Sequence, residues 1–252
     1  MVSQTQQFLE SYWQSRPAVR RNAAYAGNMT LAEKLAWQDV LRRHVGITGR
    51  ALRVLDVGTG VGAIPMLLAG MRVQATGLDW SQDQLDVAQQ RWDERKKGVR
   101  GRCTFVQGDA HQTAFENAEF DAVLVVNTFT QLLNPQKALH EWARVLKPGG
   151  KLIVIEDDRN SAESRQSTAY WQQQQFADDP LGKQFLQSVR RCPLWQADGD
   201  AIGRAMQLAD YENVAQVQLA GQLMRAGKRR WRSFELGYML VSAEKGGQIP
   251  LI

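Results

Sequence analysis

The chain has 252 residues, of which 44% are hydrophobic, and its formal net charge is +5. That apolar fraction is enough to build a core and excludes a mainly disordered chain. The longest apolar runs are strand-sized, far below the roughly 20 residues of a membrane-spanning helix, so we expect no membrane span. The first residues show no basic cluster followed by an apolar stretch, and we therefore expect no secretory signal and a cytoplasmic location.

The two cysteines and the positive charge say little about partners. Cys103 and Cys192 lie far apart, with no ligand-like cysteine near either, so we expect neither a metal site nor a disulfide. The densest basic cluster, at 228–232, surrounds Trp231 and has the composition of a strip that follows phosphates. Four cations in a hairpin loop are more often solvated, and we expect no nucleic-acid partner.

The first 46 residues are predicted to form a helical arm or lid. An irregular aromatic segment with Tyr12, Trp13 and Tyr25 precedes an amphipathic helix at 30–44. We expect the apolar residues of this helix to point toward the core: Leu31, Leu35, Ala36 and Leu41. An arm of this kind can fold over an open site.

Residues 51–156 alternate regularly between short apolar runs and amphipathic stretches. This alternation predicts βαβ units and a parallel sheet covered by helices on both faces. The predicted strands lie at 53–57, 72–78, 103–107, 122–126 and 151–156. The predicted helices lie at 63–70, 81–97 and 135–146, with Ser81 as an N-cap and the sequence Lys-Pro-Gly-Gly ending the last helix.

The pattern changes after residue 156. A polar, glutamine-rich segment with Tyr170 and Trp171 predicts a helical cap inserted at about 159–198. A helix at 200–209 follows, and then two extended runs at 214–220 and 234–243, which must pair antiparallel because a short loop joins them. The sequence therefore predicts one doubly wound α/β domain over 47–252, with a mostly parallel seven-stranded sheet and an antiparallel C-terminal strand.

A glycine-rich turn, Gly58-Thr59-Gly60-Val61-Gly62, follows the first predicted strand. Glycine permits positive φ and close approach of a ligand to the main chain, and ligands of open α/β sheets bind at this edge. The turn also satisfies a loose dinucleotide-binding pattern, with Asp79 at the distance expected of a ribose ligand. A nicotinamide or flavin enzyme is therefore an alternative at this point.

Three features favour a different ligand. Asp56 places a carboxylate just before the glycines, which suits an ammonium group better than a pyrophosphate. Gly108-Asp109-Ala110 adds a second carboxylate at the same edge, suited to accept a hydrogen bond from an amine. The antiparallel terminal pair is not required by a dinucleotide fold.

Five segments in this order resemble the class I S-adenosylmethionine-dependent methyltransferases, which have a Rossmann-like fold. They are LDVGTGVG at 55–62, GLDWSQDQL at 77–85, GDA at 108–110, FDAVLVVNTF at 120–129 and ALHEWARVLKPGGKLIVIE at 138–156. Within that family the chain is similar to the ubiquinone/menaquinone-methyltransferase-like group, whose members act on small molecules. The resemblance covers residues 51–156 by motif and most of the rest by topology.

The resemblance implies S-adenosyl-L-methionine as cofactor. It implies that ten residues bind it: Asp56, Gly58, Thr59, Gly60, Gly62, Asp79, Trp80, Asp109, Ala110 and Asn127. Asp56 would meet the ammonium group, with the glycine turn against the methionine part. Asp79 would bind both ribose hydroxyls and Trp80 would pack on adenine. Asp109 would accept from the adenine amino group, and Asn127 would lie beneath the reacting methyl.

The implied activity is methyl transfer to a small-molecule acceptor by in-line displacement, with the acceptor atom (oxygen, nitrogen, sulfur or carbon) open. If a proton must leave, the candidate catalytic groups are His111 and Glu156. The candidate substrate contacts are the aromatic residues of the arm and cap: Tyr12, Trp13, Tyr25, Tyr170 and Trp171. The same aromatic segments could support a homodimer.

Three alternatives stay open. An RNA or other macromolecule methyltransferase fits the basic charge, but the sequence after the fourth predicted strand is Asn127-Thr128-Phe129, without the Pro-Pro signature of nucleic-acid amino methyltransferases. A non-catalytic, S-adenosylmethionine-binding regulatory protein would keep the same motifs, because a fold does not dictate a function. An unusual reaction of the same cofactor, such as a cyclisation, is the third.

Overall fold

A computed structural model describes residues 3–27, 29–48, 51–158, 180–219 and 238–246. Three helices come first: α1 (Gln4–Gln14), α2 (Arg16–Gly27) and α3 (Leu31–Val45). The alternating part follows, with β1 (Arg53–Val57), α4 (Ala63–Gly70), β2 (Gln74–Asp79), α5 (Gln82–Arg95), β3 (Arg102–Gln107) and β4 (Phe120–Val126). It continues with a 3-10 turn (Phe129–Gln131), α6 (Pro135–Val145) and β5 (Leu146–Asp157). The last described elements are α7 (Pro180–Val189), α8 (Gly199–Gln207), β6 (Tyr211–Gln218) and β7 (Tyr238–Lys245).

The seven strands form one sheet in the order β3-β2-β1-β4-β5-β7-β6. Strands β1 to β5 are parallel, and β7 lies antiparallel between β5 and β6. The predicted doubly wound sheet with its antiparallel C-terminal strand is therefore confirmed. The strand order reverses between β1 and β4, and the carboxyl ends of these strands are where such sheets bind ligands.

Local sequence signals explain several element boundaries. The side chain of Ser81 accepts a hydrogen bond from the main-chain N–H of Gln84 and begins α5, as predicted. Asn134 caps α6 and is followed by a proline, which is favoured in the first turn. Thr30 and Glu33 form a reciprocal capping box at the start of α3.

The core has two layers, one on each face of the sheet. Helices α3 and α4 pack on one face, and helices α6 and α8 pack on the other. Strands β1 and β4 are buried almost throughout, as expected of parallel strands covered on both sides. Trp142 of α6 is completely buried between its helix and the sheet.

The structure corrects the prediction for the apolar face of α3. Leu31 and Leu35 are 73% and 55% exposed, whereas Leu41 is buried as predicted. Successive residues turn by about 100° around a helix, so the buried stripe that contains Trp37 and Leu41 leaves the two leucines to one side. The mixed periodicity of this segment concealed which face packs inward.

Some predictions lie wholly or partly outside the described residues. The basic cluster at 228–232 and most of the predicted cap are among them, although α7 shows that the end of the cap region is helical. The arm contains two regular helices instead of the irregular segment expected before α3. The division into an arm at 1–46 and a domain at 47–252 stays a prediction. Within the described ranges, no helix is long and apolar enough to cross a bilayer.

Candidate active site

A cavity of about 370 Å³ lies at the carboxyl edge of β1, β2 and β4 and is covered by residues of α1, α2 and α3. Its size is within the range of small-molecule and cofactor sites. Nine of the ten residues that the resemblance assigns to the cofactor line it: Asp56, Gly58, Thr59, Gly60, Asp79, Trp80, Asp109, Ala110 and Asn127. The sheet therefore brings together residues from four separate strand ends, those of β1, β2, β3 and β4.

The glycine-rich turn forms the floor of this cavity. Gly58 and Gly60 both have positive φ, at 72° and 52°. A Cβ at Gly58 would lie 2.1 Å from the Oγ1 atom of Thr128, and a Cβ at Gly60 would lie 2.4 Å from the Nδ2 atom of Asn22. Both positions favour glycine for their backbone, and Gly58 also needs it for space, because a Cβ there would overlap the whole side chain of Thr128.

Gly62 is the predicted cofactor residue that does not line the cavity. It has a φ of 77° and precedes α4, and a Cβ there would lie 2.8 Å from the ring of Phe105. The third glycine therefore allows the helix to pack closely on the sheet rather than admitting a ligand.

Asp56 is 2% exposed at the end of β1. Burial raises the pKa of its carboxyl to about 7, and the neighbouring charge of Asp79 acts in the same direction. A cationic group in the cavity would favour the ionised form. The pair of carboxyls thus suits a positively charged ligand better than a phosphate.

Asp79 connects the glycine turn to the start of α5. Its Oδ2 atom accepts a hydrogen bond of 2.7 Å from the main-chain N–H of Gly60, and its Oδ1 atom accepts one of 2.9 Å from Ser81. Burial raises the pKa of this carboxyl, and the backbone hydrogen bonds oppose the rise. Each oxygen keeps a further lone pair with which to accept from a ligand hydroxyl.

The loop after β3 holds Asp109, Ala110 and His111 in the cavity wall. The Oδ1 atom of Asp109 accepts from both the main-chain N–H and the Nδ1 atom of His111, at 2.8 and 2.7 Å. Although burial opposes it, this pairing lowers the pKa of Asp109. Glu10 of α1 faces the same pair, and burial together with the charge of Asp109 raises the pKa of its carboxyl.

Asn127 directly follows β4 and lies in the left-handed region, with φ at 52°. Its main-chain N–H donates to the carbonyl oxygen of Ile155, and its own carbonyl oxygen accepts from the Nε2 atom of Gln131 at 2.6 Å. Its side-chain Oδ1 atom is buried without a hydrogen-bond partner. A strained residue with an unpaired buried acceptor in a cavity wall is typical of a ligand-binding position.

The structure places Glu156 outside the cavity. Its side chain is fully buried, and its two carboxylate oxygens accept from the main-chain N–H and the hydroxyl of Thr130, at 3.2 and 3.0 Å. Thr130 belongs to the 3-10 turn that follows the strand of Asn127. Glu156 is thus placed to fix this turn, and not to exchange a proton with a cavity ligand as the sequence suggested.

The aromatic candidates for substrate contact separate into different environments. Trp13 lines the cavity. Tyr12 is buried beside it, stacked on Phe185 of α7 with 4.1 Å between the ring centroids, and does not line the cavity. Tyr25 belongs to α2, but its side chain lies outside the described part of the structure, as do Tyr170 and Trp171.

Several cavity residues have no sequence motif. Asn22 of α2 lies above Gly60, and its Nδ2 atom donates a hydrogen bond of 2.9 Å to the Oε1 atom of Gln84. Trp37 of α3 and Tyr238 of β7 also line the cavity, with their ring centroids 6.2 Å apart. The arm was predicted to fold over an open site, but nothing in its composition indicated which polar residue would face inward.

The charged and polar groups of the cavity fit S-adenosylmethionine. The lining side chains include Asp56, Asp79 and Asp109 but neither lysine nor arginine among the described residues, which suits the ammonium and sulfonium charges of that cofactor. His111 and Asn127 contribute two buried polar atoms, Nε2 and Oδ1, that lack partners in the protein. No cluster of metal ligands occurs in the described ranges.

A family model described as a methyltransferase domain matches residues 55–154. Residues 55–154 form a class I methyltransferase domain. This match resolves the ambiguity of the glycine-rich turn against a dinucleotide-binding enzyme, and it confirms the predicted methyltransferase domain over these residues.

Curated relatives of the methyltransferase domain include the ubiquinone/menaquinone biosynthesis C-methyltransferase UbiE of Rhizobium etli. The two are 34% identical over 137 residues, which is 51% of this chain and 50% of the relative. The O-methyltransferase cnsE of Penicillium expansum is 32% identical over 122 residues, 47% of this chain and 44% of the relative. The chain thus spans about half the length of the curated relatives it matches.

Solved structures extend the similarity of the fold beyond that domain. Phosphoethanolamine N-methyltransferase 2 of Haemonchus contortus, in complex with S-adenosyl-L-methionine, has a TM-score of 0.68 at 17% identity, covering 97% of this chain and 60% of that one. The [4+2]-cyclase SpnF has a TM-score of 0.60 at 20% identity, covering 85% and 82%. At these identities the likeness shows the fold alone, and the function must be argued from the site.

Proposed function

We propose that the protein is an S-adenosyl-L-methionine-dependent methyltransferase that acts on a small-molecule acceptor. The observation that supports this most directly is the convergence of Asp56, Asp79 and Asp109 on one cavity whose floor is the turn with Gly58 and Gly60. The match of the methyltransferase family model to the segment containing all three carboxylates supports the same cofactor.

Each carboxylate has a distinct task in this proposal. Asp56 accepts from the ammonium group and Asp79 accepts from the two ribose hydroxyls. Asp109 accepts from the amino group of the base, with the main chain of Ala110 beside it and Trp80 against the ring. These assignments combine the family resemblance with the positions of the residues around the cavity.

The bound cofactor supplies a methyl group activated by its sulfonium charge. Transfer is an in-line displacement, so the protein's main contribution is to align the two reactants and to exclude water. The apolar side chains of Leu9, Trp13 and Leu133 line the cavity and supply a dry wall for the acceptor. Asn127, at the strand end nearest the proposed methionine position, offers its unpaired Oδ1 atom to a donor on either reactant.

Calorimetric titration with S-adenosylmethionine, S-adenosylhomocysteine and NADH tests the cofactor. We expect micromolar binding of the first two and none of NADH, with at least about a tenfold loss in Asp79→Asn because the ribose hydroxyls lose a charged acceptor. Asp93→Asn is the matched control, since Asp93 lies on α5 and pairs with Lys96 outside the cavity. Binding of NADH alone would contradict the proposal.

Turnover tests the reaction itself. Release of S-adenosylhomocysteine should depend on an added acceptor. Small phenols, amines and thiols of similar size to one another are the first acceptors to test. Cofactor binding without turnover on any acceptor would favour a regulatory cofactor-binding protein instead.

A further inference from the structure

The pair formed by Asp109 and His111 has one unused atom on each side chain. Two hydrogen bonds from His111 occupy the Oδ1 atom of Asp109. Among the described residues, no hydrogen bond reaches its Oδ2 atom. His111 lines the cavity, and its side chain is 13% exposed. Its Nε2 atom is buried and has no hydrogen-bond partner.

The partner of His111 sets the position of its proton. The lowered pKa of Asp109 keeps its carboxylate ionised and therefore able only to accept. The imidazole must then donate from Nδ1, and in the neutral ring Nε2 becomes an acceptor. Asp109 and His111 both line the cavity, and each keeps one acceptor without a partner among the described residues, the Oδ2 atom of Asp109 and the Nε2 atom of His111.

We propose that His111 recognises the 6-amino group of the cofactor's purine. That group has two N–H donors, one for Asp109 and one for the Nε2 atom of His111. A purine with an oxygen at this position would point an acceptor at two acceptors, and it is rejected for that reason. The inference rests on the proposed function, and it replaces the proton-transfer role that the sequence suggested for His111.

Glu10 offers a competing partner for the same nitrogen. It lies on α1, close enough for the charges of Asp109 and His111 to affect its pKa, and its Oε1 atom accepts from Gln6 at 3.0 Å. If Nε2 paired with Glu10, His111 would hold the covering helix in place and would not discriminate between bases. Base recognition by His111 predicts a preference for the amino purine that depends on His111, whereas holding the covering helix predicts no such dependence.

The test compares S-adenosylhomocysteine with S-inosylhomocysteine, its 6-oxo analogue, by calorimetric titration. We expect wild type to prefer the amino form by at least about 100-fold. His111→Ala should weaken binding of the amino form by about tenfold and reduce the preference by a similar factor. His111→Asn should recover part of the affinity, because its amide can donate to Asp109 as Nδ1 does, but it should not recover the preference.

Two controls separate the interpretations. His140→Ala removes an exposed histidine of α6 whose Nδ1 atom pairs with the carbonyl oxygen of Gln136, and it should change neither value. Glu10→Gln should leave the preference intact. Equal losses for both ligands in His111→Ala and Glu10→Gln would overturn the inference in favour of a helix-holding role.

The remaining outcomes are also decisive. If wild type binds both purine forms equally, or if His111→Ala keeps the full preference, the inference fails and the proposed function stands. If wild type binds neither form, the proposed function itself fails. Circular dichroism of each variant excludes loss of folding as the cause of a lost preference.

Discussion

The indole Nε1 atom of Trp142 donates a hydrogen bond of 3.0 Å to the carbonyl oxygen of Ala110. Trp142 is fully buried on α6, and Ala110 lines the cavity. The neighbouring residue Glu141 accepts two hydrogen bonds from Thr113. The main-chain N–H and the hydroxyl of Thr113 donate to the Oε1 atom of Glu141, at 2.7 and 2.6 Å. Helix α6, which faces away from any ligand, therefore sets the shape of the loop that contains Asp109.

Trp142→Phe should weaken cofactor binding although Trp142 does not line the cavity. The ring still packs, but the half-buried carbonyl of Ala110 loses its donor, which costs about 1 kcal/mol of folding free energy. We expect a several-fold loss of S-adenosylhomocysteine affinity by titration and a lower midpoint in urea. Trp92→Phe, in a separate core cluster away from the cavity, is the control and should lower the midpoint only.

Asp56 should destabilise the unliganded protein above neutral pH. Burial raises its pKa from 3.8 to about 7, so the folded state holds its proton more tightly than the unfolded state does. The contribution of Asp56 to the free energy of unfolding then falls as pH rises from about 4 to 7, by roughly 4 kcal/mol in total, and stays level above about 7. Asp56→Asn removes this slope, and unfolding by urea at pH 5 and pH 8 measures the difference. Parallel slopes in the two proteins would show that Asp56 is not the group responsible.

The same carboxyl should make cofactor binding depend on pH. The ammonium group of S-adenosylhomocysteine favours ionised Asp56, so affinity should rise by up to about tenfold per unit between pH 5 and pH 7. Methylthioadenosine lacks the amino acid part and should show a much flatter profile. Identical profiles for the two ligands would place the ammonium group away from Asp56.

Glu156 should tolerate an amide but not a deletion. Glu156→Gln can still accept from the main-chain N–H of Thr130 and can donate to its hydroxyl, so we expect a change in stability of about 1 kcal/mol or less. Glu156→Ala leaves two buried groups of Thr130 without this acceptor and should cost about 3 kcal/mol or more. Urea unfolding tests both variants. Turnover that is abolished in a stable Glu156→Gln protein would instead restore the catalytic role suggested by the sequence.

Gly60→Ala should weaken cofactor binding, and Gly98→Ala should not. Both glycines have positive φ, so both variants share the strain of the left-handed backbone, about 1 kcal/mol. Only at Gly60 would the new Cβ collide with Asn22, whereas nothing lies within 4 Å of a Cβ at Gly98. Titration and thermal melting separate the two costs. Equal binding losses would assign the effect to backbone strain.

The sequence was sufficient for the sheet and for the floor of the cavity, because both depend on local patterns. Strand β1 and helix α4 have the predicted limits, and the strand ends place Asp56, Asp79 and Asp109 at one edge. The roof could not be predicted in the same way. The positions of Glu10 and Asn22 depend on how α1 and α2 dock on α5, and such tertiary contacts leave no periodic signal. Gly62 and Glu156 show the converse error of sequence-based prediction. Both occupy motif positions that resemble binding positions, but in the structure one serves packing and the other positions a turn.

The floor and the roof of the cavity come from different stretches of chain. One continuous segment supplies the lining residues from Asp56 through Leu133, the preceding helical arm supplies those from Gln6 through Trp37, and β7 adds Tyr238. A chain divided in this way can change its methyl acceptor by altering about the first 40 residues, while the stretch proposed to bind the methyl donor stays the same. Exchange of the N-terminal helices between proteins of this fold is therefore a route by which one cofactor-binding segment could serve new methyl acceptors.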